Sequence, residues 1–491
     1  MTDQFVYKIK KPVNFGFLDF SICERRRHFS EEEVRLNRRL APEVYLGVVP
    51  ITSDLKFDGT GEPIEWAVKM RRLSEEATLL AMTESQQVTA VQVNDVANRI
   101  AEFHTRADHG PQISRYGRFD VVAANASENF EQSASQIGST VSRSVFERVR
   151  SLTDEALALL RPLIDERAAR DVPRDTHGDL HLDHVYLFPE RKSPHDIVII
   201  DCIEFNERFR YADPVADMAF LVMDLIFHGR RDLAAVFADT YFAGTRDVEG
   251  QSLLPFYTAY RAVVRAKVEG FELAEREIPE AERSAAQARA RAHWLLALGE
   301  LERPERRPCL ILIGGLPGTG KSTFARALAE QAHAVLIRSD EIRKELADLP
   351  TTSSASALPN QGIYSAEWTD RTYAECLWRA DTSLFEGHRI VVDATFSEEI
   401  HRQMFLAAAA RLAVPALWLA CEADRDVALS RLASRDGDAS DADATVYAHV
   451  AQHWQGPSDA TAPRMRMIDA GNTLEHTLAQ AMLVLVHEKL V

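Results

Sequence analysis

The apolar positions of this 491-residue chain follow two regimes. After residue 308, short unbroken apolar runs alternate with segments whose apolar residues return every three or four positions. Cys309-Leu-Ile-Leu-Ile313 is the clearest run, and continuous apolarity over so few residues suits a strand buried on both faces of a parallel sheet. Behind it, Phe324 and Leu328 fall on one face of an alanine-rich helix. Further strands are expected at Ala334–Arg338, His388–Val392, Pro415–Ala420 and Met465–Ile468, beside Leu310–Gly314. The alternation predicts an α/β doubly wound parallel sheet with its ligand at the carboxyl edge. Before residue 308 the pattern is mixed and predicts α+β. In Phe5-Val-Tyr-Lys8-Ile-Lys10 the period-two alternation puts both lysines on one face of a strand. Val44–Val49, Val185–Phe188 and Ile197–Asp201 read as further strands, and Ser30–Asn37 as a helix. A long helical tract then meets Gly299-Glu-Leu-Glu-Arg-Pro-Glu-Arg-Arg-Pro308, two prolines in a charge cluster. The expected domains are therefore 1–298 and 308–491, with 299–307 as linker.

Composition changes this picture little: 46% hydrophobic and 27% charged residues are ordinary for a globular protein. The formal charge of −17 argues against a protein that coats nucleic acid or anionic membrane, since both need basic surface. Cysteines 23, 202, 309, 376 and 421 are scattered with no CxxC spacing, which predicts reduced thiols and neither a disulfide frame nor a zinc site. No apolar stretch approaches the roughly 20 residues that span a bilayer, and the N-terminus does not resemble a signal peptide. A cytoplasmic location is expected.

Chemistry enters at Gly315-Leu316-Pro317-Gly318-Thr319-Gly320-Lys321-Ser322, followed by Thr323. This is G-x-x-x-x-G-K-S, the P-loop pattern, and it stands between the strand and the helix, as the pattern requires. The glycines let backbone N–H groups close on phosphate oxygens, and the helix N-terminus adds its dipole. Lys321 is expected to reach the β- and γ-phosphates and Ser322 to hold Mg²⁺, so ATP and Mg²⁺ are the predicted cofactors. Asp340, just past the second strand, is a candidate general base facing an acceptor hydroxyl, or an N-cap for the next helix. Asp393 ends the third strand at the Walker B position, near Mg²⁺. Arg431 and Arg435 follow the fourth strand, where arginines on a lid stabilise phosphoryl-transfer charge or lie on a solvated helix face.

A second constellation is His177-Gly-Asp179-Leu-His181-Leu-Asp183-His184, followed by a strand ending in Asp201. An aspartate in a loop, a metal position five residues on and another aspartate after the next hairpin form a kinase-type layout. These residues resemble the H-G-D-x-H-x-x-N motif of the aminoglycoside phosphotransferase and choline kinase families. Asp213-Pro-Val-Ala-Asp217-Met-Ala219 resembles their D-P-x-x-D-x-A helix start. The resemblance implies a protein kinase-like domain with Asp179 as catalytic base, Asp201 as metal aspartate, and His177 and Asp217 as braces. His184 stands where those families carry asparagine, at a metal position, although imidazole suits softer metals than Mg²⁺. A rival reading is a transition-metal cluster of His177, His181, Asp183 and His184. The resemblance also asks for a lysine–glutamate pair: Lys8, or else Lys10, with Glu33. Glu33 could instead close a capping box with Ser30, and Trp66–Leu73 could be the lysine strand or the hinge strand. The resemblance asks for two further strands and a phosphate-covering loop before Lys8, which the sequence as given does not contain, so either a misassigned start or an open-roofed ATP site is expected.

The C-terminal half resembles small P-loop kinases, such as gluconate kinase-like and polynucleotide kinase-like ATPases, grouped under an AAA-type label. The whole order resembles a bacterial tandem family that joins an aminoglycoside phosphotransferase-like domain to an ATP-binding P-loop domain. Phe17–Ser21, Tyr45–Val49, Asp201–Phe205, Arg210–Asp213 and Ser440–Asp443 are similar to its blocks. The resemblance implies a bifunctional phosphotransferase that moves the γ-phosphate of ATP to a hydroxyl of a small-molecule acceptor. Two other readings stay open: a pseudokinase-like sensing domain controlling the P-loop half, and a hydrolysing switch without an acceptor.

Overall fold

A computed structural model describes residues 2–14, 18–273, 278–350, 361–434 and 442–491. The chain divides into two compact units, 1–132 with 153–264, and 133–152 with 265–491.

The first unit begins with strands β1 (Phe5–Ile9), β2 (Tyr45–Thr52) and β3 (Pro63–Arg71), an antiparallel sheet in the order β1-β3-β2. Its apolar face, including Tyr45, Val68 and Met70, closes over Val34 of helix Cys23–Asn37 and over Phe188 and Val198. That helix starts seven residues earlier than expected, and Ser30 lies inside it, its hydroxyl donating to the Arg26 carbonyl at 2.7 Å. A residue inside a helix cannot cap its start, so the capping-box alternative for Ser30 and Glu33 falls. Lys69 on β3 meets Asp58, the rings of Phe5 and Tyr7, and not Glu33. Two short antiparallel pairs frame the middle of the unit: β4 (Arg174–Asp175) with β7 (Tyr211–Ala212), and β5 (Val185–Leu187) with β6 (Ile197–Ile199). Helix Pro214–Phe227 is buried along most of its length, with proline in its first turn and the Asp213 carboxylate accepting from Val215 N at 2.9 Å.

The second unit contains all five strands expected after residue 308. They are β8 (Leu310–Gly315), β9 (Val335–Arg338), β10 (Ile390–Asp393), β11 (Ala416–Glu422) and β12 (Met465–Asp469). All neighbours are parallel, in the order β12-β11-β8-β10-β9. The chain passes to opposite sides of β8, so the crevice at the carboxyl end of β8 is a topological switch point, where open α/β sheets take ligands. Phe324 and Leu328 of helix Lys321–Gln331 pack into one core with Ile311, Ile313, Leu419 and Leu485. This anchors the helix whose first turn carries the candidate phosphate residues. Helix Glu280–Leu301 also belongs to this unit, and the Trp294 ring lies 5.5 Å from that of Phe146. Among the described residues no helix is long and apolar enough to cross a membrane.

Candidate functional site

The loop between β8 and helix Lys321–Gln331 turns on three glycines with positive φ, Gly315, Gly318 and Gly320. At Gly318 (φ +79°) a Cβ would stand 2.4 Å from the Ala428 carbonyl oxygen, so both conformation and space demand glycine. Gly320 (φ +91°) precedes the first helical residue, Lys321, and Thr319 Oγ1 donates to the Leu316 carbonyl at 2.8 Å. The result is a closed loop of backbone at a helix N-terminus, the arrangement that binds phosphate.

Asp393 ends β10, in register with Ile313 of the loop strand and Arg338 of β9. It is buried; Oδ2 accepts from Arg338 Nε at 3.3 Å, while Oδ1 has no hydrogen-bond partner among the described residues. Burial pushes its carboxyl pKa above the ordinary value, against the pull of Lys321 and Ser322. Arg338, pressed by burial the other way, is held above the ordinary arginine range by Asp393 and Glu341. An orphaned buried carboxylate oxygen close to a serine hydroxyl fits a hard cation with oxygen ligands, so Ser322 and Asp393 suit Mg²⁺.

Of the cavities that border this loop, two reach Lys321. One, of about 460 Å³, is lined by Gly320, Lys321, Ser322, Arg431, Asn472 and Thr477 among others. The other, of about 480 Å³, is lined by Lys321, Asp340, Arg343, Tyr373, His401 and His453 among others. Lys321 borders both. Asp340 is the second residue of helix Ser339–Leu346, whose N-cap position is Arg338, so the capping alternative does not describe it. Arg431 donates to four backbone carbonyls, Thr319 (3.1 Å), Ala470 (2.7 Å), Gly471 (3.2 Å) and Asn472 (3.3 Å), and so ties the phosphate loop to the β12 edge. Arg435 lies outside the described residues. Lys321 and Asp340 of the second cavity were singled out from sequence, whereas Tyr373, His401, His449 and His453 were not, although His449 and His453 stand four residues apart at the end of helix Ala444–Gln452.

In the first unit, β1 and helix Cys23–Asn37 bring both candidate lysines to one glutamate. Lys8 Nζ lies 3.0 Å from Glu33 Oε1 and Lys10 Nζ 2.7 Å from Glu33 Oε2, with Glu33 fully buried. Lys8 also donates to Asp201 at 2.5 Å, and Lys10 contacts Glu204, a partner that sequence reasoning missed. Burial works against the Lys8 ammonium, yet Glu33 and Asp201 hold its pKa above the ordinary lysine value. Asp201 is a non-glycine residue at φ +66°, its amide donating to the Tyr45 hydroxyl at 3.2 Å. Its carboxyl, opposed by burial, is lowered by Lys8 and His184.

The loop carrying Asp179 is braced from below. Asp217, fully buried, accepts from His177 N (3.1 Å), Gly178 N (2.7 Å) and His104 Nε2 (3.0 Å). Burial opposes its charge, yet His104, with His177 and Arg261 beside it, sets its pKa down to about 2. His177 Nε2 donates to the Ile200 carbonyl at 2.9 Å while its Nδ1 accepts from Asp179 N at 3.3 Å, a neutral tautomer. Burial accordingly drops its pKa to about 4. The Asp179 carboxyl, although burial opposes its charge, is kept below the usual carboxylate range by His181, with His184 and His177 beside it. His181 Nε2 stands 3.3 Å from Asp179 Oδ2, and its Nδ1 contacts Asp183. His184 Nδ1 donates to the Asp179 carbonyl at 2.8 Å, and its Nε2 lies 3.7 Å from Asp201 Oδ2. Asp201 offers Mg²⁺ an oxygen donor; the imidazole of His184 is a softer one.

The parallel sheet, the glycine loop and the carboxylate beside it define the second unit as a nucleotide-binding P-loop domain. The family model described as AAA domain matches residues 310–457. Over 445 residues the chain is 33% identical to Uncharacterized protein Rv2004c of Mycobacterium tuberculosis (strain H37Rv), covering 91% of this chain and 86% of that one. Uncharacterized protein Mb2027c of Mycobacterium bovis matches to the same extent. The chain belongs to the family of these mycobacterial proteins. Among solved structures it is similar to a gluconokinase from Sinorhizobium meliloti 1021, with 17% identity, a TM-score of 0.29, and coverage of 38% of this chain and 95% of that one. A sugar kinase from Janibacter sp. HTCC2649 gives 14% identity, a TM-score of 0.29, and coverage of 38% and 98%.

Proposed function

We propose that this protein is an ATP-dependent phosphotransferase whose P-loop unit phosphorylates a hydroxyl of a small-molecule acceptor. The observation that carries the reading is the position of Lys321 between two cavities, one beside the phosphate loop and one that also holds Asp340. The first cavity takes ATP and the second the acceptor. Asp340 accepts the acceptor's hydroxyl proton as its oxygen bonds the γ-phosphorus, and the bond to the β–γ bridging oxygen breaks to release ADP. Lys321 and the loop amides stabilise charge on the transferred group. Ser322 and Asp393 would hold Mg²⁺, which when bound neutralises phosphate charge. Arg431 supports the loop through the Thr319 carbonyl, and Arg435 is kept as a lid candidate.

The first unit is read as a kinase-like domain, with Asp179 orienting a hydroxyl, Asp201 holding a cation, and Lys8 and Glu33 forming the phosphate pair. A second reading makes it a sensing domain that controls the P-loop unit. The ion pair between Lys8 and Asp201 favours that reading, because it occupies both groups that a nucleotide complex would need. The proposed domain limits are 1–298 and 308–491, and the proposed location is cytoplasmic.

The test is mass spectrometry of a metabolite extract incubated with ATP and wild-type, Lys321→Ala or Asp179→Ala protein. An 80-Da gain (one HPO₃ group, about 80 Da, on the acceptor) that vanishes with Lys321→Ala supports the reading. No ATP-dependent product from wild-type protein overturns it. A second product that vanishes only with Asp179→Ala assigns catalysis to the first unit as well and ends the sensing alternative.

A further inference from the structure

We propose that Asp179, His181 and His184 form a binding site for a divalent transition cation of the Zn²⁺ class. One ligand atom from each lies within 4.8 Å of the other two. Each histidine has its Nδ1 committed. His181 Nδ1 faces the Asp183 carboxylate and His184 Nδ1 the Asp179 carbonyl, acceptors that require an N–H on that nitrogen. In the neutral ring this leaves a bare lone pair on both Nε2 atoms. Both lone pairs face carboxylate oxygens: His181 Nε2 stands 3.3 Å from Asp179 Oδ2, and His184 Nε2 3.7 Å from Asp201 Oδ2. Lone pair against carboxylate is repulsive unless a cation lies between them.

The two imidazole rings lie with centroids 3.9 Å apart, close enough for both to reach one ion beside the Asp179 carboxylate. One divalent ion held by Asp179, His181 and His184 relieves the contact between His181 Nε2 and Asp179 Oδ2. The spacing agrees: bonds of about 2.0–2.1 Å place two ligands of a tetrahedral ion about 3.4 Å apart, close to the Asp179–His181 separation. The Nδ1 contacts to a carboxylate and a carbonyl are the outer-shell partners that orient metal-bound histidines. Mixed nitrogen and oxygen donors select Zn²⁺, Mn²⁺ or Co²⁺ over Mg²⁺. Three protein ligands leave a further position for water or an anionic oxygen. The site shares Asp179 with the kinase-like reading of the first unit and contains none of the P-loop residues. A cation bound there uses the Asp179 lone pairs and makes the first unit metal-responsive.

Full-length protein stripped with chelator and titrated with Co²⁺ tests this directly. One equivalent is expected to bind with the intense visible bands of a four- or five-coordinate ion, to be displaced by Zn²⁺, and to resist a large excess of Mg²⁺. His181→Ala and His184→Ala should each abolish the bands. Asp183→Asn keeps every ligand and should weaken Co²⁺ affinity about 10–100-fold, which holds the test open if an alanine variant does not fold. Asp393→Asn should retain the bands, separating this site from the P-loop. A wild-type spectrum that stays that of the aqueous ion overturns the proposal, as do bands unchanged in both histidine variants or lost with Asp393→Asn.

Discussion

The two units handle charge in opposite ways. Around the P-loop, donors and acceptors are left open: the loop is backbone turned on glycines, and a buried oxygen of Asp393 has no partner among the described residues. In the first unit the charged groups form ion pairs with one another, although Glu33 Oε1, 3.0 Å from Lys8, makes no hydrogen bond among the described residues. Lys8 and Lys10 share Glu33 and reach Asp201 and Glu204, and Asp217 holds three donors. An open site receives a phosphate chain with little rearrangement, whereas a paired site must break ion pairs before its lysines can meet one. The contrast teaches that a motif's residues can all be brought together and still be poised very differently for a ligand.

The brace of the paired site gives the largest expected effect. Asp217→Ala leaves a buried histidine and two buried amides without their acceptor and should destabilise the protein by about 3–5 kcal/mol, read by urea unfolding. Because the folded pKa of Asp217 is depressed to about 2, its contribution is complete above the ordinary carboxyl value of about 3.9. It is lost as pH falls through the folded value. The acid-induced fall in stability between roughly pH 4 and 2 should therefore shrink in the variant; an unchanged acid limb would show that Asp217 is not the brace. At the open site, Lys321→Ala should lower ADP release about 10²–10³-fold, the usual loss on removing one preorganised donor. Turnover close to wild type would remove Lys321 from the chemistry.

The contrast itself is tested by hydrogen exchange with and without ATP and Mg²⁺. At a hundred times the Kd, binding stabilises by about 2.7 kcal/mol, so amides of 315–323 should slow about 100-fold, and those of 177–184 far less. Equal protection of both segments would erase the distinction drawn here. The smallest effect is at Asp393, whose pKa burial raises. An acid with a raised folded pKa weakens the fold as pH climbs above its unfolded value. Asp393→Asn should thus raise apo stability at pH 7 by about 1 kcal/mol while depressing turnover, and flatten stability against pH. A lower melting temperature in the apo variant would contradict this.

Much of both sites was legible along the chain. The five strands of the second unit were readable because a strand buried on both faces leaves an unbroken apolar run, and the loop because only glycine tolerates its turns. Asp179, His184 and Asp201 were readable as spacings. The helix start at Cys23 was not, since Cys-Glu-Arg-Arg-Arg-His carries too few apolar residues to show a period. Nor was the Lys10–Glu204 contact, between residues 194 positions apart.

By itself, the sequence determined the class of the second unit and the residue types available at both sites, because local backbone demands and short apolar runs are written in neighbouring positions. Only the tertiary structure decided how those residues pair. Packing β9 beside β10 sets Arg338 on Asp393, β1 against the helix from Cys23 gives Glu33 two lysines, and the loop after Thr176 folds the nitrogens of His181 and His184 toward carboxylates. Pairing depends on distances through space between elements far apart in the chain, and pairing determines which site stands open.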